Sequence, residues 1–327
     1  MKHGLPDLES AIAAIDLSDY QTVDWSRVQH SAYLIHQHLR YEYPGPIQNL
    51  QQRLMILPPQ QHGDQRLVDY RLTVTNPSVE TTYRVDDFGN TEITICVPSV
   101  EHSIDFEAWI LVERLAAAGP YYLSIRDLAT PQYSKPSRLT HPDETLYEIA
   151  ARFKADGKQE IELAHQINTW VYQTMSYAHE VTGIHTTAAE ALALKQGVCQ
   201  DYAHIMVTLC RLCALPARYV SGHLLGEGGT HAWVEVLLPV DEDPEVALVV
   251  PLDPTHGRPA GFNYVTVAMG NDYFDVAPMS GTYYAAYSGQ LSTRKRVGLA
   301  MYTYMDTAPD KGNVRVLADT AGEFPIE

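Results

Sequence analysis

The stretch from Gly197 to Asp253 constrains this chain most. Gly197-Val198-Cys199-Gln200-Asp201 opens a run of helical period that lasts to Leu215-Pro216. Three extended runs follow, ARYVSGHLL, HAWVEVLL and VALVVPLD, joined by the turn-rich GEGGT and PVDEDPE. An amphipathic helix must cover its apolar stripe, and the apolar face of a sheet is a ready partner. A hairpin centred on Glu242 pairs Val234 with Val250, Val236 with Leu248 and Leu238 with Val246, all apolar and so self-consistent. That register sets His231 opposite Asp253, with Cβ atoms about 5 Å apart. Centring the first loop on Gly228 sets His223 opposite Trp233.

Cys199, Ala203, Met206, Cys210 and Cys213 share one stripe of the helix. Cys199 falls in the first turn, where partial positive charge and unsatisfied N–H groups favour thiolate over thiol. A cysteine on such a stripe is equally a small core residue. Cys210 and Cys213, in mid-stripe, take that reading; Cys199, at its end, stands apart. An Asp that fixes an imidazole tautomer, with the other ring nitrogen aimed at a thiol, is the logic of a nucleophilic triad. The alternative is a structural His at a sheet edge and an Asp that opens the turn before Pro254. Asp201 reads as a complement to the helix dipole. A metal site from Cys199, His204, Cys210 and Cys213 fails on geometry, since one straight helix cannot converge them; neither metal nor cofactor is expected.

At roughly 150 residues per domain, the 327 residues suggest about two domains. From Tyr33 to Pro98 short runs rich in Val, Ile, Thr and Tyr alternate with turn residues, the texture of an antiparallel β-sandwich or barrel. VDYRLTVT alternates Val68, Tyr70, Leu72 and Val74 against polar neighbours. Pro120, Pro131, Pro136 and Pro142 mark a linker with a boundary near Arg138. Helices are expected over 143–155 and 158–176, and Thr187 with Glu190 forms a capping box. The division is a 1–30 extension, a β-rich 31–138, an α+β core over 139–300 and a 301–327 tail. Net charge is −17, which argues against a nucleic-acid partner. Four cysteines, no secretory leader and no apolar stretch of about 18 residues point to a soluble cytoplasmic protein.

GVCQDYAHIMVTLCRLCALPARYVSGHLL, THAWVEVLLP and PLDPTHGR, in that order, closely resemble the transglutaminase-like superfamily. YEYPGP, RLMILPP and Asp87-Phe88-Gly89-Asn90 resemble the N-terminal β-rich domain of its bacterial members, and GNDYFDVAPMSGTYY resembles the segment after the catalytic Asp. The resemblance spans roughly 30 to 300. It implies a papain-like core with Cys199 as nucleophile, His231 as base and Asp253 as orienting acid. For the oxyanion or substrate it points to Tyr177 first and Trp170 second, with Trp233 packing beside the site. His256 stands where the family usually has Asn, a departure expected to leave the triad untouched.

The expected chemistry is acyl transfer from a peptide or protein amide through a thioester. Hydrolysis is favoured; transfer to an amine, or a non-catalytic scaffold, are the alternatives. No nucleic acid or membrane partner is expected, and oligomeric state is not legible.

Overall fold

The computed structural model describes residues 7–13, 20–76, 78–116, 119–124, 131–240 and 243–305. The tail beyond 305 and parts of the extension and the linker lie outside the described residues, as do loop residues 241 and 242.

The first layer pair is a β-sandwich. Its strands are β1 (Val28–Glu42), β2 (Ile47–Leu57), β3 (Gln61–His62), β4 (Gln65–Val74), β5 (Glu80–Val85), β6 (Thr91–Val100) and β7 (Ser103–Leu115). Alternate residues Ile104, Phe106, Ala108, Ile110 and Val112 of β7 point inward and meet Ile93, Ile95 and Val97 of β6 in one core. The VDYRLTVT strand is half-buried: Leu72 and Val74 pack against that core, and Tyr70 is exposed.

The second part holds β8 (Tyr122–Ser124), helices α1 (Glu144–Ala155) and α2 (Glu160–Thr174), β9 (Ser176–Tyr177), α3 (Ala188–Leu194), β10 (Gln196–Gly197) and α4 (Cys199–Leu212). The meander follows as β11 (Ala217–Leu224), β12 (His231–Val240) and β13 (Asp243–Asp253), then β14 (Arg258–Pro259) and β15 (Tyr264–Gly270). The sheet order is β14-β13-β12-β11-β15, with β8 on β13. Asp143 caps α1 by accepting from the Leu146 N–H, and the Thr187–Glu190 capping box caps α3. Helix α4 lies between this sheet and α1, α2 and α3, and every residue from Gln200 to Arg211 is buried. Its stripe is therefore only part of what it covers.

Both hairpin registers differ from the spacing argument. Val234 pairs with Leu252, Val236 with Val250 and Leu238 with Leu248, two residues from expectation, because a bulge sits between Pro239 and Val240. An even shift keeps each residue on its face, so the apolar pairing survives. In the first hairpin Trp233 faces Val220 instead of His223. That odd shift turns His223 the other way, where its ring meets the Gln37 amide at 3.3 Å.

Two strands after the core return to the sandwich. β16 (Met279–Tyr284) pairs with β2, and β17 (Gln290–Tyr304) pairs along the whole of β1. The sequence reading placed 279–300 with the core; here those residues complete both sandwich sheets, whose orders are β17-β1-β7-β4-β3 and β16-β2-β6-β5. Their alternating pattern is that of any half-buried strand and does not say which sheet receives them.

Side-chain amides weld the two parts. β15 is an edge strand whose outward backbone groups need partners. Gln65 accepts from the Thr266 N–H at 2.8 Å and donates to the Thr266 carbonyl at 2.7 Å. Asn90 does the same at Met269, at 2.7 and 2.6 Å. The Asp87–Asn90 motif thus forms a turn, with Gly89 at φ +85°, that delivers an amide to this edge. Deeper in, Glu235 accepts from Arg218 and from His62 at 2.7 Å each, all three nearly fully buried.

Candidate active site

Gly197 and Asp201 fix the start of α4. The Asp201 carboxylate accepts the Val198 N–H at 2.8 Å and the Thr182 hydroxyl at 2.7 Å, tying the helix entry to the preceding loop. A Cβ on Gly197 would lie 2.4 Å from that carboxylate, so the glycine permits a close approach. Asp201 is buried, which raises its pKa, and its task is local anchoring beyond dipole compensation. Cys199 follows in the first turn, partly exposed, with its Sγ 4.0 Å from the Thr230 carbonyl.

His231 opens β12 and is 1 % exposed. The shifted register makes Asp253 its diagonal neighbour, still within reach on the same face. The Asp253 Oδ2 lies 2.8 Å from His231 Nε2. The same oxygen accepts from the Tyr264 hydroxyl at 2.7 Å and lies 2.7 Å from His256 Nδ1, while Oδ1 accepts the Thr255 N–H at 2.8 Å. Burial alone would raise the Asp253 pKa, but the bonds from His231, His256 and Tyr264 hold it well below the carboxylate range. Burial would likewise depress His231, but its bonds to Asp253, to Cys199 and to Glu227 raise it well above the ordinary imidazole value. The structure therefore brings Cys199, His231 and Asp253 together, with the carboxylate on the Nε2 side.

Glu227, in the loop before β12, completes a ring. Its carboxylate lies 3.1 Å from His231 Nδ1 and 3.1 Å from His256 Nε2. Two carboxylates and two imidazoles thus alternate in a closed cycle. Bonding to Asp253, then to Glu227, raises His256 to about 9. His256 accordingly touches the site directly, against the expectation that it would not. The same ring explains why donor atoms of His231, Asp253 and His256 crowd within 4.8 Å of one another, a donor set a metal could also use.

The aromatic candidates separate. Tyr177, on β9 beside Gly197, is 51 % exposed, with its ring against Tyr202 and His179. Burial of its hydroxyl, then the nearby Cys199 and Glu227, raise its pKa. Trp233 is fully buried, its ring beside His231 and edge-on to Tyr264. Its indole also covers Gly222, where a Cβ would lie 2.5 Å from the ring. Trp170 packs edge-on against Phe153 in the helical core, and none of its described contacts involves Cys199, His231 or Asp253. His204 accepts the Tyr273 N–H at 3.2 Å from a fully buried position. Sequence reasoning missed Glu227, His256 and Tyr264. His256, three residues after Asp253 across a turn, was within reach of a local argument; the other two depend on loop and sheet placement.

Residues 147–246 match the transglutaminase-like superfamily, and residues 33–113 match the bacterial transglutaminase-like N-terminal region. The chain belongs to the transglutaminase-like superfamily, with the bacterial N-terminal region ahead of its core. An uncharacterized protein of Mycobacterium tuberculosis is 26% identical over 253 residues, covering 70% of this chain and 80% of that one. One from Mycobacterium leprae is 34% identical over 124 residues, 35% of this chain and 42% of that protein. A solved structure from Cytophaga hutchinsonii, described as a candidate cysteine protease, superposes with TM-score 0.67 at 19% identity, covering 89% of this chain and 97% of that one. That likeness establishes the fold, and superfamily membership supports a cysteine-based catalytic function.

Proposed function

We propose that this protein transfers acyl groups from peptide or protein amides through Cys199, His231 and Asp253, and that water normally resolves the acyl-enzyme. The supporting observation is the clamped imidazole: Asp253 holds Nε2 at 2.8 Å, which leaves Nδ1 as the ring nitrogen for the thiol. Asp253 fixes the tautomer and stabilises the imidazolium. The Cys199 proton passes to His231, and the thiolate attacks the amide carbonyl. Backbone N–H groups at the start of α4, with Tyr177 as a candidate side-chain donor, receive the oxyanion. His231 returns its proton to the leaving amine, and the amide C–N bond breaks to give a thioester. Water then attacks, with His231 as base, and frees the acid and the thiol.

The test is iodoacetamide alkylation of the native protein across pH, with peptide mapping. Cys199 is expected to react faster than a model thiol near neutral pH, and His231→Ala is expected to abolish that advantage. Reaction at model rates, unchanged by His231→Ala, would falsify the reading. Among the described residues no helix is long and apolar enough to cross a membrane. All four cysteines are free, which supports placing the protein in a reducing cytoplasm.

A further inference from the structure

The triad accounts for Asp253 on one side of His231 but not for Glu227 on the other. With Nε2 held by Asp253, Nδ1 is the ring nitrogen left to exchange protons with the thiol and the amine, and Glu227 lies 3.1 Å from it. Its side chain is 39% exposed, so the carboxylate faces the opening and not the core. His256 Nε2 holds it in place at 3.1 Å, and Asp253 in turn holds His256. Tyr177, 51% exposed, lies close enough for the charges of Cys199 and Glu227 to raise its pKa. A carboxylate that reaches solvent beside a catalytic imidazole is a receptor for a cation.

We propose that Glu227 binds the amine side of the reaction as an ammonium: the amine that leaves on acylation, and any primary amine that enters to take the acyl group. This rests on the acyl-transfer reading and adds a substrate class to it. An amine hydrogen-bonded to His231 Nδ1 necessarily lies within a few ångströms of the Glu227 carboxylate. A Lys-type primary amine is protonated near neutral pH, since its ordinary pKa is about 10.4, and an α-amine freed from a peptide bond, at about 7.7–8.0, is mostly so. Burial would raise Glu227, but its bonds from His231 and His256 outweigh this and hold it down to about 2. It is therefore a fixed negative charge wherever the enzyme works. An entering ammonium first gives a proton to neutral His231. Its free lone pair then attacks the thioester carbon, the C–S bond breaks, and the departing Cys199 sulfur takes the second nitrogen proton as the new amide forms, after which His231 releases the first proton to solvent. No co-reactant is needed beyond the amine.

The experiment acylates the full chain with a 4-nitrophenyl ester of a short N-acyl peptide and measures how the acyl-enzyme partitions among water, propan-1-ol and n-propylamine. The two nucleophiles have the same shape and differ in charge. In the parent, propylamine is expected to saturate and to outcompete propanol. In Glu227→Gln, which keeps the shape and loses the charge, the concentration needed for half-maximal aminolysis is expected to rise roughly tenfold, as for loss of a charge-assisted hydrogen bond. The water-to-propanol ratio is expected to stay put, which separates a binding role from a general effect on His231. An unchanged propylamine dependence in Glu227→Gln overturns the proposal. So does a proportional rise in all three products, since Glu227 would then be a latch on His231. Failure of the parent to cleave the ester in a Cys199-dependent way is a different result and removes the acyl-transfer reading itself.

Discussion

Replacing Asp253 with Asn probes the centre of the site. Asp253 is fully buried, and its two oxygens serve five donors: His231, His256 and the Tyr264 hydroxyl on Oδ2, and the Thr255 and His256 N–H groups on Oδ1. An Asn has one acceptor oxygen and one NH2. If its oxygen takes the Oδ2 place, the NH2 confronts two backbone N–H groups; the other orientation sets it against three side-chain donors. Either way at least two donors lose their acceptor, at up to about 1–3 kcal/mol for each that is buried. Loss of the charge also weakens the imidazolium. A charge-assisted bond is worth about 1.5–3 kcal/mol, so the His231 pKa is expected to fall by about 1–2 units. The thiolate–imidazolium pair then forms over a narrower range. The pH midpoint for iodoacetamide reaction of Cys199 should rise by about one unit, and ester turnover should fall by roughly 10² to 10⁴. Stopped-time alkylation with peptide mass spectrometry reads the first quantity and nitrophenol release the second. A variant that melts cooperatively yet keeps the parent's alkylation midpoint and turnover would refute the claim that Asp253 acts through His231.

Other expectations follow from the same geometry. Cys199→Ser should remove turnover and the fast labelling, leaving only slow labelling at the partly exposed Cys96, with Cys210 and Cys213 staying unlabelled in the folded protein because burial pushes both thiols up; labelling of either at a rate like that of Cys199 would contradict this. Gly222→Ala sets a methyl 2.1 Å from the Val265 carbonyl oxygen and 2.5 Å from the Trp233 ring, so urea unfolding should show a loss of about 1–3 kcal/mol or more. Arg218→Met alone leaves Glu235 buried without its main partner and should cost about 3–5 kcal/mol, whereas adding Glu235→Leu should recover most of it. His256 has a raised pKa, so its pairs stabilise the fold fully below about pH 6.5 and lose that contribution as pH rises through about 9. The gap in thermal midpoint between parent and His256→Asn should thus be clear at about pH 6 and closed by about pH 10; a gap that widens with pH would reverse the assignment.

The helix at Cys199, the meander after it and the approach of His231 to Asp253 were all legible, because apolar period and loop chemistry are local. The register was less so. A bulge at Pro239 moved one hairpin by two residues, and evenness alone preserved the faces. The odd shift in the other hairpin sent His223 toward Gln37. Glu227 and Tyr264 escaped notice because one hangs from a loop and the other belongs to a strand whose partner no spacing reveals. The amide clamps of Gln65 and Asn90 span more than 170 positions each, and no periodicity encodes them.

The return of β17 to β1 has a consequence for synthesis. The paired residues stand from 248 (Glu42 to Gln290) to 276 (Val28 to Tyr304) positions apart, and β1 spans 15 residues. A ribosome that has made residues 28 to 115 has exposed a sandwich with β1 as a bare edge. That edge must wait through translation of the whole catalytic part before its cover emerges. The catalytic part has its own helices and meander and can collapse in the meantime, so the order of assembly runs against the order of the chain. A nascent protein stalled before Gln290 presents a long unpaired strand to its neighbours, the geometry that seeds intermolecular β-pairing. Truncation before β17 should therefore show itself first as insolubility, ahead of any loss of chemistry.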